Sequence, residues 1–239
     1  MIWKVPMLWE GSFCFIIGGG TSMPLQFGVP LEVIQKVYEG RLSPSAYSKY
    51  MEPIHAQHVI GINNTYQIGN WLDILFFGDS HWYLLHRMNL AVWSGLKVCC
   101  DQKFSNRTQR NMEGIKFLER DGKHRQGISS DPSKVSWNTN SGAAAISLAH
   151  HLGVQKIYLL GFDMTMDHSA EHSHWHGSHR PPGQKINRLP PFSKHLKSFP
   201  AIAKDAKELG IEIYNVSQLS KITCFPKITL EEALNGSSK

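Results

Sequence analysis

Six short stretches of the chain are mainly apolar, and each ends abruptly in small or polar residues: "SFCFIIGGGTSM", "HVIGIN", "DILFFGD", "GLKVCCD", "KIYLLGFD" and "IEIYN". The run from Phe13 to Ile17 is β-branched and aromatic with no polar alternation, as expected of a strand covered on both faces. Between these stretches lie segments of helical character. "SGAAAISLAHHLG" has small residues, leucines at helical spacing and Gly153 as a stop, and "AIAKDAKELG" repeats the pattern just before "IEIYN". Strand, polar turn, helix, glycine, strand is the cadence of an α/β fold with a mainly parallel sheet flanked by helices. Residues 101–140 and 164–199 break the rhythm and read as long loops at the carboxyl ends of the strands.

Composition narrows the class. The chain has 239 residues, 41% hydrophobic and 18% charged, which suits one soluble domain spanning 1–239. A net charge of +6 makes it moderately basic, so attraction to phosphates or nucleic acid is one reading and plain solubility the other. Cys14, Cys99, Cys100 and Cys224 show no C-x-x-C spacing and read as reduced thiols of a cytoplasmic protein. No stretch is apolar for 18 residues, and "MIWKVPMLWEG" lacks a signal-peptide core, so neither a membrane span nor secretion is expected.

The ends of the strands carry the candidate chemistry. In open α/β sheets, ligands bind beyond the carboxyl ends. Here those ends are Gly18-Gly19-Gly20-Thr21-Ser22, Asn63-Asn64, Asp79-Ser80 and Asp163. The glycines would admit a phosphate or ribose to the main chain, and Thr21 and Ser22 would add hydroxyl donors. The turn matches neither the P-loop nor G-x-G-x-x-G, because Met23 stands where the last glycine belongs. Asn140, Ser141 and Gly142 open the clearest helix and form a second candidate anion site. Asp79 and Asp163 are candidates for a ribose hydroxyl, an acceptor substrate or a divalent cation such as Mg²⁺ or Mn²⁺.

A histidine-rich stretch, "HSAEHSHWHGSH" (168–179), holds five of the 13 histidines. Its H-x-H-x-x-H spacing is similar to the H-x-H-x-D-H motif of metallo-β-lactamase-type hydrolases, but Ser178 replaces the Asp. In an extended segment His172, His174 and His176 would share one side, with His179 folding back, so Zn²⁺ is geometrically conceivable but the lesser reading. A general base is the lighter demand, and His174 or His176 suits it, with Asp163, Asp167 or Glu171 as partner. Trp175 between them is a candidate for stacking on a base or sugar. Arg180 and Lys185, with Arg188, are candidates to neutralise a departing phosphate.

The blocks "FCFIIGGGTSM", "VIGINNTYQIGNWLDILFFGDSHWY", "NSGAAAISLAHHLGVQKIYLLGFDM" and "GIEIYNVSQLSKITCFPKITLEEAL" cover about two thirds of the chain. Together they resemble a Rossmann-like superfamily that includes 6-hydroxymethylpterin diphosphokinase-like proteins and bacterial CMP-sialic-acid sialyltransferases. They are most similar to its uncharacterised bacteriophage and prophage members. The resemblance implies nucleotide contacts at Gly18 to Ser22, Asn63 with Asn64, and Ser141-Gly142, and a histidine base beyond the "GFD" strand. The first turn departs from the wider family's Gly-Asn-Gly-Pro-Ser, and residues 27–57 stand as an insertion.

The resulting expectation is a nucleotide-dependent transferase in the cytoplasm of a bacterium or a phage-infected cell. It would be a glycosyltransferase moving a sugar from a nucleotide donor to a hydroxyl of a glycan, a small molecule or modified nucleic acid. An ATP-dependent diphosphokinase acting on a hydroxymethyl substrate is the runner-up. A non-catalytic nucleotide or nucleic-acid binding module, using "KFSNRTQR" (103–110) and "GKHRQG" (122–127), is the rival from another class.

Overall fold

The computed structural model describes residues 2–101, 114–122, 125–166, 174–176 and 191–236. Its centre is a seven-stranded sheet in which every pairing is parallel. In chain order its strands are β1 (Phe13–Ile17), β2 (Val59–Ile62), β3 (Ile74–Phe77), β4 (Leu96–Cys99), β5 (Ile115–Phe117), β8 (Lys156–Leu160) and β9 (Glu212–Asn215). A separate pair joins β6 (Glu119–Arg120) to β7 (Lys134–Val135). The spatial order is β5-β4-β3-β2-β1-β8-β9. The chain therefore steps outward from β1 to β5, then returns to the other side of β1. That reversal opens a crevice above the carboxyl ends of β1 and β8.

The unbroken apolar runs follow from burial on both faces. Along β1, Cys14 and Ile16 enter one core, while Phe15 and Ile17 enter the other. β3 alternates likewise, Ile74 and Phe76 against Leu75 and Phe77, as does β8, Ile157 and Leu159 against Tyr158 and Leu160. Period-two alternation is present in the structure, but both sides demand apolar residues, so it disappears from the sequence.

The first core lies under α4 (Ser141–His151) and α6 (Phe199–Glu208). Ala143, Ala144, Ala145, Ile146, Leu148 and Ala149 of α4 are all buried, and small side chains let this helix lie close to the sheet. The second core lies under α2 (Leu31–Tyr38), α3 (Ser80–Ala91) and α7 (Leu230–Gly236). Residues 27–57, which stand as an insertion in the sequence, are largely helical. They supply α2 and two 3₁₀ segments, Pro44–Tyr50 and Glu52–Ile54; Tyr47, Ile54 and the intervening Met51 are fully buried. Within 101–140, the described residues include β5 on the edge of the sheet and the β6–β7 pair. Strands of two and three residues are too short to register as a periodic pattern. Two shorter helices are α1 (Ser22–Gln26), just after the glycine turn, and α5 (Phe192–Leu196), whose Phe192 and His195 line the crevice. Among the described residues no helix is long and apolar enough to cross a membrane.

Among the described residues four imidazoles are held below their ordinary pKa. Burial is the leading cause at His86, His150, His151 and His195, with Lys194 adding to it at His195. At His151 the carbonyl of Lys134, 2.9 Å from Nε2, partly offsets the shift. The folded chain thus binds fewer protons than the unfolded chain as pH falls through the ordinary histidine range near about 6.5. Stability should be complete above that range and decline below it, until the folded imidazoles themselves protonate. Urea midpoints at a series of pH values from 8 to 5 should fall toward acid. His151→Gln, which still offers a donor to Lys134, should make that fall shallower; an unchanged slope would exclude His151 as a contributor.

Candidate functional site

A cleft of about 530 Å³ lies over the switch point. Its floor is the backbone of Gly18–Gly20 after β1 and Gly161–Asp163 after β8. Ile62 and Asn63 border it from β2, and Asp79, His81, Trp82 and Leu85 from the start of α3. Thr139 to Gly142 contribute the N-terminus of α4, and His174 and His176 close over the turn. Of the residues expected from sequence, Gly18, Gly19, Gly20, Asn63, Asp79, Ser141, Gly142, Asp163, His174 and His176 meet here. Arg180, Lys185, Arg188, His172 and His179 lie outside the described residues, as do Asp167 and Glu171.

The glycines have a reason that involves no ligand. A Cβ on Gly18 would sit 2.8 Å from the Gly161 carbonyl oxygen and 3.2 Å from the Phe162 ring. On Gly19 it would meet the His174 ring at 2.5 Å, and on Gly20 the Asp163 carboxyl carbon at 2.5 Å. Gly142 is also pressed against Phe162, at 2.9 Å. Each of these glycines admits part of the chain that follows β8.

Hydrogen bonds hold the same contact. Asp163 is only 4% exposed, and its carboxylate accepts from the Ser22 amide at 2.9 Å and the Ser22 hydroxyl at 2.5 Å. Thr21 and Ser22 are buried and lie outside the cleft lining, so the hydroxyls expected to face a ligand are turned inward. Ser217 extends the cluster, its Oγ lying 3.1 Å from that of Ser22 and accepting from the Phe162 amide at 3.2 Å.

Trp175 corrects a further expectation. It is 0% exposed, so it offers no face to a base or sugar. Its indole Nε1 donates to the Gly18 carbonyl at 2.8 Å and its amide to the Gly19 carbonyl at 3.0 Å. Its own carbonyl accepts from the Tyr47 hydroxyl at 3.3 Å. Trp175 is an anchor: it seats a turn, not an extended strand, and so presents His174 and His176 side by side. Their rings stack with centroids 5.2 Å apart.

Asn63 takes a left-handed backbone, φ 51°, at the end of β2. The Thr65 hydroxyl, within hydrogen-bond distance of the Ile17 and Ile62 carbonyls, holds that end in place. Asn63 Oδ1 is buried and has no hydrogen-bond partner among the described residues, an unmet acceptor beside the cleft. Thr139 at φ 56° and Met164 at φ 51° also line the cleft, so non-glycine residues in a costly conformation cluster there. Asp79 caps α3 through Oδ1, accepting from the His81 amide at 2.8 Å. Asn140 caps α4, accepting from Gly142 at 2.8 Å and Ala143 at 3.2 Å, so the Gly142 amide is already bonded.

The wall that sequence reading missed is aromatic. Trp137 lines the cleft with its edge on Gly78, where a Cβ would sit 2.1 Å from the ring. The Arg120 guanidinium lies 3.8 Å over the same indole and donates to the carbonyls of Cys100 at 2.8 Å and Gly78 at 2.6 Å. Only the Gly78 that precedes the expected Asp79 hinted at so close a neighbour. Phe162, Trp82 and Phe192 complete this apolar surface, and His195 joins the cleft from α5. Among the described residues no group of three His, Cys, Asp or Glu side chains could hold a metal ion.

No family model matches the chain, and no curated protein matches it in sequence. Solved structures do resemble it. The monofunctional alpha-2,3-sialyltransferase Cst-I of Campylobacter jejuni aligns with 92% of this chain and 80% of its own, at 11% identity and a TM-score of 0.52. The fold is shared with that protein. The sialyltransferase CstII of the same organism, solved with cytidine-5'-monophosphate, aligns with 92% of this chain and 86% of its own, at 15% identity and a TM-score of 0.48.

The glycine contacts separate by what each would strike. Gly20→Ala drives a Cβ into the Gly161 backbone and the buried Asp163 carboxyl, neither of which can yield. It should cost about 1–3 kcal/mol, as overpacking does. Gly19→Ala meets only a histidine side chain and should cost less in urea unfolding while displacing His174. Equal costs would count against this reading of the turn.

Proposed function

We propose that the chain is a glycosyltransferase that takes its sugar from a nucleotide donor. The observation that carries this reading is the convergence in one cleft of the ends of β1, β2 and β8, the start of α4 and two imidazoles. The unmet Asn63 acceptor suits an amino or hydroxyl group of the nucleoside, and Trp137 and Phe162 supply apolar walls. Ser141, on the cleft rim, suits the phosphate, and the cationic Arg180 and Lys185 of the sequence carry the charge that would neutralise it. A fold shared with a sialyltransferase supports the same class. With the resemblance of the sequence blocks to CMP-sialic-acid enzymes, it makes a CMP-activated sugar the first donor to try.

In this mechanism the acceptor's hydroxyl oxygen forms a bond to the anomeric carbon. The bond from that carbon to the donor phosphate breaks, and the nucleotide leaves with the electron pair. The hydroxyl proton passes to a ring nitrogen of His174 or His176. Asp163, occupied by Ser22, acts on the turn and not on the proton. The diphosphokinase reading gains nothing from the site, because Asp163 is engaged with Ser22 and Asp79 caps a helix.

Calorimetry with CMP, UDP, GDP and ATP at about 100 times Kd tests the binding. A specific nucleotide should add about 2.7 kcal/mol, or roughly 5–10 °C in Tm for a chain of this size. Turnover of the matching nucleotide sugar should fall roughly 10²–10⁴-fold when the basic histidine becomes alanine. Failure of every nucleotide to raise Tm would sink the transferase reading.

A further inference from the structure

The two imidazoles on the 174–176 turn have different surroundings. His176 Nδ1 lies 3.5 Å from Nδ2 of Asn64. Asn64 is oriented in turn by Trp82, whose indole Nε1 stands 2.7 Å from Asn64 Oδ1. An indole N–H can only donate, so the arm it meets is the amide oxygen and the other arm is the NH₂. That NH₂ can only donate as well, so the ring nitrogen facing it must offer a lone pair. In the neutral ring the proton then resides on Nε2.

The parts of this relay are held in place. Asn64 and Trp82 are both buried, and Trp82 stacks on His86 with centroids 4.6 Å apart. Trp175, bonded to the glycine turn on one side and Tyr47 on the other, sets the position of the histidine that follows it.

We propose that Asn64 and Trp82 are positioning residues that fix His176 as the Nε2–H tautomer, a hydrogen-bond donor to the cleft, and so leave the acceptor's proton to His174. The first half stands on geometry alone. The second rests on the transferase reading: a ring nitrogen that already carries a proton cannot take one, but it can donate to a phosphoryl oxygen of the departing nucleotide. His174, whose ring edge lies on Gly19, is the remaining imidazole of the turn.

Nitrogen NMR of the full chain labelled with ¹⁵N-histidine tests the tautomer, with His176→Gln identifying the signals. Above the pH at which the ring titrates, His176 Nδ1 should resonate as an unprotonated nitrogen and Nε2 as an N–H. Asn64→Asp, which can accept from both Trp82 and the ring, should move the proton to Nδ1. Trp82→Phe should release the amide and yield a mixture. A wild-type His176 protonated on Nδ1 would overturn the proposal, and that result does not depend on the Asn64 or Trp82 variants folding. With a donor sugar in hand, His174→Gln should lower kcat by roughly 10²-fold or more with little change in donor KM. His176→Gln keeps a donor and should lose less; the reverse ranking would overturn the assignment of the base. The tautomer is measured without substrate, so it stands or falls independently of the transferase reading.

Discussion

The close seating of the chain after β8 on the backbone of Gly18–Gly20 is the contact on which the rest of the site depends. Phe162, Asp163 and His174 occupy the space where side chains at Gly18, Gly20 and Gly19 would stand. Asp163 bonds Ser22, and Trp175 bonds the carbonyls of Gly18 and Gly19. Buried polar groups matched this completely are stiff, because breaking any one of them leaves a donor or acceptor unmet. The turn and the two segments that rest on it are therefore tied into one hydrogen-bonded unit. That unit forms the cleft floor and carries both imidazoles.

The sheet makes the contact available. β1 and β8 pair in register from Phe13 with Lys156 to Ile17 with Leu160, so their carboxyl ends emerge side by side. Reversal of strand order at this point sends the connections away on opposite sides, and a crevice is left between them. The small-residue helix α4 brings Ser141 to the same rim, with Phe162 wedged between Gly142 and Gly18. Backbone conformations disfavoured outside glycine collect around the cleft at Asn63, Thr139 and Met164.

Sequence alone determined the strands that are covered on both faces, because a continuous run such as Phe13–Ile17 or Ile74–Phe77 admits few other structures. It also determined which ends carry the polar residues, and hence that Gly18–Gly20, Asn63, Asp79, Ser141 and Asp163 would gather. Tertiary structure decided what each of them does there. Nothing local distinguishes a glycine that admits a ligand from one that admits Phe162, or a tryptophan that stacks from one that is buried like Trp175. Ser22 and Arg120 gained their parts through partners 141 and 42 positions away, the Asp163 carboxylate and the Gly78 carbonyl. Trp137 likewise owes its place in the wall to the distant Gly78. A pattern read along the chain reports the burial each position demands. Which atoms meet across the cleft is set by the strand order, and strand order leaves no periodic trace in the sequence.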